Sequence, residues 1–328
     1  MIRIRNLIII ILLLSIIVGV EKTGTSAAKF LSIGSGAEAV GMGGAYTSVA
    51  KGASTMYWNP AGISKIRWNE FYFDHSSWLA DLRYDYIGLI LPMEKNITLG
   101  INITSLSMPQ MNITYYGNEN TGETFKAGSY AIGFSGAMSL TNRFSIGFNT
   151  KYIREFISNS HASSFAIDTG TLFNTSFGPV IGMSISNFGP KLQINGSDLL
   201  IKTDGVSNNS DINANLSTEK FNLPLSMRFG VSNNFVLNKI NILIAIDAVN
   251  PIDNSEYINF GGEISLKEKL FIRAGMKSLF MVDRETLFTM GLGAKLDLFS
   301  YNKIHLDYAY EIMHYLNDIH KFSIRITK

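Results

Sequence analysis

Residues 303–312, Lys-Ile-His-Leu-Asp-Tyr-Ala-Tyr-Glu-Ile, put Ile304, Leu306, Tyr308, Tyr310 and Ile312 on one face of an extended chain. His305, Asp307 and Glu311 fall on the other. A period of two with large apolar residues on one side reads as a β-strand. The same alternation recurs nearby. Ile240, Ile242, Ile244, Ile246 and Ala248 oppose Asn241, Ala245 and Asp247, and Phe322, Ile324 and Ile326 oppose Lys321, Ser323 and Arg325. A soluble sandwich gives the same pattern, so alternation alone establishes strands and no more.

Working outward, the chain after Ile66 divides into ten- to fourteen-residue segments separated by turn chemistry. Strands are expected near 68–79, 82–92, 96–108, 126–140, 142–156, 161–174, 177–188, 223–236, 240–249, 255–267, 269–279, 285–298, 303–313 and 318–327. Each is long enough to cross a hydrocarbon layer when tilted, and the total is even, as bacterial barrels require. Short turns (Pro92–Asn96, Thr141-Asn142, Asn238-Lys239, Lys267-Glu268, Ser300–Lys303) contrast with long polar stretches at Pro109–Lys126 and Pro190–Leu223. The longest is richest in Asn, Asp and Ser over Asp204–Asn215.

Composition separates the membrane from the soluble reading. Only 16% of residues are charged, against about 25% in soluble domains. After the N-terminus no apolar run approaches the roughly 18 residues of a spanning helix. Aromatics gather near strand ends, at Trp68, Phe71, Trp78, Phe156, Phe188, Tyr257, Phe280, Phe299, Tyr301 and Tyr315, where interfacial girdles lie. The expected fold is therefore all-β, a 14-stranded antiparallel transmembrane barrel of the outer-membrane type.

Residues 1–28 read as a cleaved signal peptide. Arg3 and Arg5 precede the apolar stretch Leu7–Val20, and Ser26-Ala27-Ala28 supplies small residues before Lys29. Removing them takes Arg3, Arg5, Lys22 and Glu21 from a formal net charge of +2 and leaves the mature chain neutral. Without a basic excess there is nothing to displace counterions, which argues against nucleic acid as a partner. Lipid of the outer membrane is the expected surrounding.

Between leader and strands lies Phe30–Ile66, rich in Gly, Ala and Ser and closing on Trp58-Asn59-Pro60-Ala61-Gly62. Residues 29–66 are expected to form an internal hatch, with 67–328 as the barrel around it. Gly34, Gly36, Gly41, Gly43 and Gly44, with Trp58, Asn59, Pro60 and Gly62, are its candidate functional residues. Gly41-Met42-Gly43-Gly44 is no nucleotide loop. Tyr46 stands where the dinucleotide fingerprint needs Gly, and no phosphate-loop Lys follows. The glycines read as devices for tight packing.

No catalytic group, metal site or cofactor is expected. The chain has no cysteine, and His75, His161, His305, His314 and His320 show no ligand-pair spacing. Ionisable residues within strands cannot face lipid cheaply. Arg83, Asp85, Lys151, Asp168, Asp247, Arg273, Lys277, Lys295, Asp307, Glu311 and Arg325 are therefore expected to point into the lumen and pair.

Phe30-Leu31-Ser32-Ile33-Gly34-Ser35-Gly36-Ala37-Glu38-Ala39-Val40-Gly41-Met42-Gly43-Gly44-Ala45-Tyr46, followed by Tyr57–Gly62, resembles the start of the PorV/PorQ family. That family is similar to the FadL-type outer-membrane barrels. Lys151-Tyr152-Ile153-Arg154-Glu155 and Phe165–Gly170 extend the resemblance along the mature chain. It implies a fourteen-stranded barrel with an internal hatch. It also implies a non-enzymatic role in type IX protein secretion or surface attachment, with secreted proteins bearing C-terminal signal domains and other secretion components as partners. The FadL-like alternative is hatch-gated passive transport of a hydrophobic solute. The chain departs from the family pattern at Glu38, where many members carry Arg, and ends on Ile326-Thr327-Lys328 without a terminal aromatic.

Overall fold

The computed structural model describes residues 23–93, 96–119, 121–203, 212–281, 284–298 and 302–328. Most of the expected leader, much of Asp204–Asn215, the turn residues Ser300 and Tyr301, and Phe299 lie outside them.

Fourteen antiparallel strands close into one barrel. In chain order they are β1 Glu70–Ser77, β2 Arg83–Pro92, β3 Ile97–Ser107, β4 Ala127–Ser139, β5 Phe144–Ile157, β6 Ser160–Asn174, β7 Val180–Phe188, β8 Ser226–Leu237, β9 Ile240–Pro251, β10 Tyr257–Leu266, β11 Leu270–Leu279, β12 Thr286–Leu298, β13 Asn302–Met313 and β14 Ile319–Thr327. Each pairs with its neighbours in sequence, and β1 pairs with β14 from Glu70↔Thr327 to Ser77↔His320. That last pairing removes every free edge. The boundaries expected from periodicity lie within a few residues of these. The long loops also hold two small hairpins that alternation did not reveal, Met111–Asn112 with Thr124–Phe125 and Leu200–Thr203 with Ile212–Asn215.

Which face is buried decides the solvent. On β14, Phe322 is 55% exposed and Ile324 40%, whereas Lys321 is 1% exposed and Arg325 8%. Ile101, Phe134, Phe148, Phe165, Phe229, Ile246, Leu292 and Leu306 repeat that outward apolar belt around the wall. A water-soluble sandwich would hide these side chains against a second sheet. An apolar exterior over a polar interior is the arrangement of a barrel that crosses a bilayer. Trp68, Phe71, Phe188, Phe280 and Tyr315 are exposed as a girdle requires.

Residues 29–66 fill the lumen. The segment starts at the long-loop end, where Lys29 meets Asp253, and leaves at the short-turn end through Ile66 into β1. It is built from short pieces. Lys29–Ser32 and Pro60–Lys65 are 3-10 turns, and α1 Ala37–Gly41 and α2 Thr55–Trp58 are single helical turns. At several points its backbone lies so close to the wall that the facing inward position has no room for a side chain. A Cβ on Gly275 of β11 would stand 2.2 Å from the Gly43 nitrogen. One on Gly170 of β6 would overlap the Asn59 carboxamide.

Candidate functional site: the hatch and the lumen it fills

Asn59 organises the end of the hatch. Its Oδ1 accepts from the Ala61 N–H at 3.1 Å, capping the turn that Pro60 opens. Its Nδ2 donates to the Thr47 carbonyl at 2.8 Å and to the Thr171 carbonyl of β6 at 3.0 Å. One side chain thus ties two hatch segments to the wall. Trp58 Nε1 donates to the Ser35 carbonyl at 2.8 Å, and the ring meets Tyr57 edge-on with centroids 4.9 Å apart. Gly34 and Gly44 pack on that indole. Gly62 sits against Thr55, and Gly41 lies against Gly291 of β12. Gly36, at φ +90, donates its N–H to Asp74 at 2.9 Å.

Ion pairs occupy the remaining lumen. Arg273 bridges Glu263 and Asp307, at 2.6 Å to each. Arg325 reaches Glu38 of α1 at 2.8 Å, Lys51 reaches Glu263 at 2.7 Å, and Lys321 reaches Asp74 at 3.1 Å. Lys277 pairs with Glu311 at 2.7 Å, and Lys151 with Asp168 at 2.9 Å. Asp247 receives the Tyr46 and Thr47 N–H groups at 2.9 and 2.8 Å. Buried charges are stable only with partners, and these carboxylates and cations supply them to one another. Lys295 faces a cavity at the short-turn end.

Arg83 and Asp85 are corrections. On β2 the inward positions are Tyr84 and Tyr86, both fully buried, so Arg83 and Asp85 point outward. They lie at the loop end of the strand, where water is available, and Asp85 pairs there with His75 at 2.7 Å. Sequence reasoning also omitted Glu38, Asp74, Glu263, Lys321 and Arg228 from the lumen set. For Asp74, Glu263, Lys321 and Arg228 the available signal was strand parity relative to Phe73, Ile264, Phe322 and Phe229, whereas Glu38 lies on α1 and has no such signal. Arg228 is the least predictable, since its guanidinium stands 5.6 Å from the Tyr57 ring centroid and 5.5 Å from that of Trp58.

The wall is irregular where it meets the hatch motif. β7 is short, and the β6–β7 pairing shifts register between Ile167 and Thr169. A cavity of about 630 Å3 lies across β6 to β10. Met183, Met227, Phe229 and Phe280 line it from the lipid side, and Ser184 and Arg228 from the side that touches the hatch. Ser184 donates to the Trp58 carbonyl at 2.8 Å.

Comparison with solved structures places this architecture. The toluene transporter TodX of P. putida superposes with a TM-score of 0.59 at 12% identity, covering 90% of this chain and 98% of that one. The CymD monoaromatic hydrocarbon channel gives 0.58 at 13%, covering 90% and 97%. A Pseudomonas aeruginosa FadL homologue gives 0.56 at 10%, covering 89% and 98%. The fold is that of the FadL-type outer-membrane barrels. No protein-family model and no curated protein sequence matches the chain. The FadL-like half of the sequence resemblance thus has structural support, and the narrower PorV/PorQ assignment gains none.

Proposed function

We propose that this barrel passes small hydrophobic molecules across the outer membrane, with residues 29–66 as the gate. The observation that carries the reading is the wall cavity beside Trp58. Its apolar lining faces the lipid, two of its lining residues, Ser184 and Arg228, contact Trp58 on the inner side of the wall, and its volume suits a small ligand. The FadL-type likeness supports the same reading, since the neighbours are described as hydrocarbon transporters and channels. A solute dissolved in the bilayer would reach such a cavity without crossing the aqueous loops. Release to the lumen would then need the hatch to shift around Trp58 and Asn59.

The test is uptake of a labelled monoaromatic by cells expressing the full chain in the outer membrane, against cells carrying Ala248→Trp. Ala248 lines the cavity from the outside, so the indole fills it without touching the lumen pairs. Uptake should rise with the wild-type protein and return to background with A248W. Equal uptake with and without the barrel sinks the reading.

A role in type IX secretion comes second. It rests on the resemblance over Phe30–Tyr46 and Tyr57–Gly62, and the likeness to hydrocarbon channels adds nothing to it. Deleting the gene and scoring surface display of proteins with C-terminal signal domains tests it directly. Unchanged display removes it.

A further inference from the structure

A second cavity, about 430 Å3, opens below the hatch at the short-turn end. In barrels of this type that end faces the periplasm. Arg325, Lys65, Lys295 and Lys303 line it, together with the apolar surfaces of Ile66, Leu243 and Phe271. The lining carboxylates are already committed or peripheral. Glu38 is held by Arg325, Glu263 by Arg273 and Lys51, and Glu268 stands on the turn between β10 and β11. Asp297 nearby on β12 is paired with Lys269 at 3.2 Å. Among the described residues, Lys65, Lys295 and Lys303 have no carboxylate within ion-pair distance.

Arg325 is only 8% exposed, and its Nε–H has no acceptor among the described residues. That nitrogen is closed off from the cavity, so Arg325 contributes its positive charge to the lining rather than an open donor. The cavity therefore combines surplus positive charge with an apolar wall.

We propose that this cavity binds an oxyanion, a phosphate or carboxylate, carried on a small apolar body. The anionic end meets Lys295 and Lys303, with the Arg325 charge behind them, and the body lies against Leu243 and Phe271. The site is distinct from the wall cavity of β6 to β10 and does not depend on the transport reading, because equilibrium binding to the purified chain involves no flux.

Isothermal titration of the detergent-solubilised full chain with phenyl phosphate, inorganic phosphate and phenol tests it. Phenyl phosphate should saturate one site, more tightly than inorganic phosphate, while phenol gives no saturable heat. Raising ionic strength should weaken the binding, as expected of an accessible charged site. Lys295→Gln combined with Lys303→Gln should weaken it about tenfold, since each loses a charge-assisted contact. Neither lysine holds the hatch, so heat-modifiable gel migration serves as the folding control. Should the double variant misfold, the salt dependence of the wild type decides alone. Displacement of phenyl phosphate in phosphatidylglycerol nanodiscs, but not in phosphatidylcholine ones, would identify a lipid headgroup as the source, and retention in both a free solute. Either supports the site. Absence of saturable binding, salt-independent binding, or full affinity in a folded double variant overturns it.

Discussion

Arg325 of β14 reaches Glu38 of α1 at 2.8 Å, joining the last strand of the barrel to the first helical turn of the hatch. Both side chains are buried. The pair links positions near opposite ends of the sequence and fixes how deep α1 sits in the lumen. Glu38 is the position at which the chain departs from the PorV/PorQ pattern, and a carboxylate there is what the Arg325 guanidinium requires.

Glu38→Gln should therefore cost up to about 3 kcal/mol, because it removes the carboxylate paired with a buried guanidinium and leaves only the more distant Glu70 and Asp307 charges. Urea or guanidinium unfolding in detergent measures it. Adding Arg325→Met to Glu38→Gln should recover part of the loss. A double variant no better than the single one would mean that Arg325 is not paired through Glu38.

Gly275→Val tests whether the hatch is seated by backbone contact. The new side chain would collide with Met42 and Gly43, and overpacking of this kind typically costs about 1–3 kcal/mol. The barrel itself keeps its strand pairing. Limited proteolysis should then cut within residues 29–66 while the barrel keeps its heat-modifiable migration. A hatch as resistant as in the wild type would contradict the close approach.

The start of the hatch should loosen in acid. Asp253 sits in the β9–β10 loop. Burial alone would raise its pKa, but hydrogen bonds from Lys29 and Ser26 outweigh that and hold the carboxyl below its ordinary value. A depressed folded-state pKa adds stability that is present above the unfolded value, about 4, and is lost as pH falls through the lower folded value. Hydrogen exchange of residues 29–33 should accelerate in that window. Asp253→Asn should exchange fast at neutral pH and show no such acid step.

Ile324→Lys tests which face meets lipid. Ile324 points outward between inward Ser323 and Arg325. A lysine on the lipid side costs roughly 2–4 kcal/mol near the midplane. Reduced stability in lipid vesicles, with no effect on the Arg325–Glu38 pair, is the expected result. A neutral or stabilising effect would place this face in water.

The strands were legible because alternation is a local property. Each segment from Glu70 to Thr327 carries its own record of which residues face lipid, and fourteen such records close a barrel. The glycines were legible as packing devices for a related reason, since nothing in Gly41–Gly44 supplied phosphate chemistry. Arg83 and Asp85 were misread because both faces turn polar where β2 leaves the membrane, and charge there no longer reports direction. Tyr84 and Tyr86 held the true parity. Arg228 over Tyr57 and Trp58 could not be seen, because it depends on how β8 lies beside a hatch 170 residues earlier in the chain. The wall cavity could not be seen either, because its lining comes from five strands brought side by side.

The hatch runs directly into β1, and β1 completes the ring with β14. Lys321 and Arg325 are the two cations by which β14 grips Asp74 and Glu38. Residues 29–66 therefore have no finished socket until the final strand is in place. Filling of the lumen and sealing of the cylinder then become one event, and a chain lacking β14 would lose the seat of residues 29–66 together with its seam.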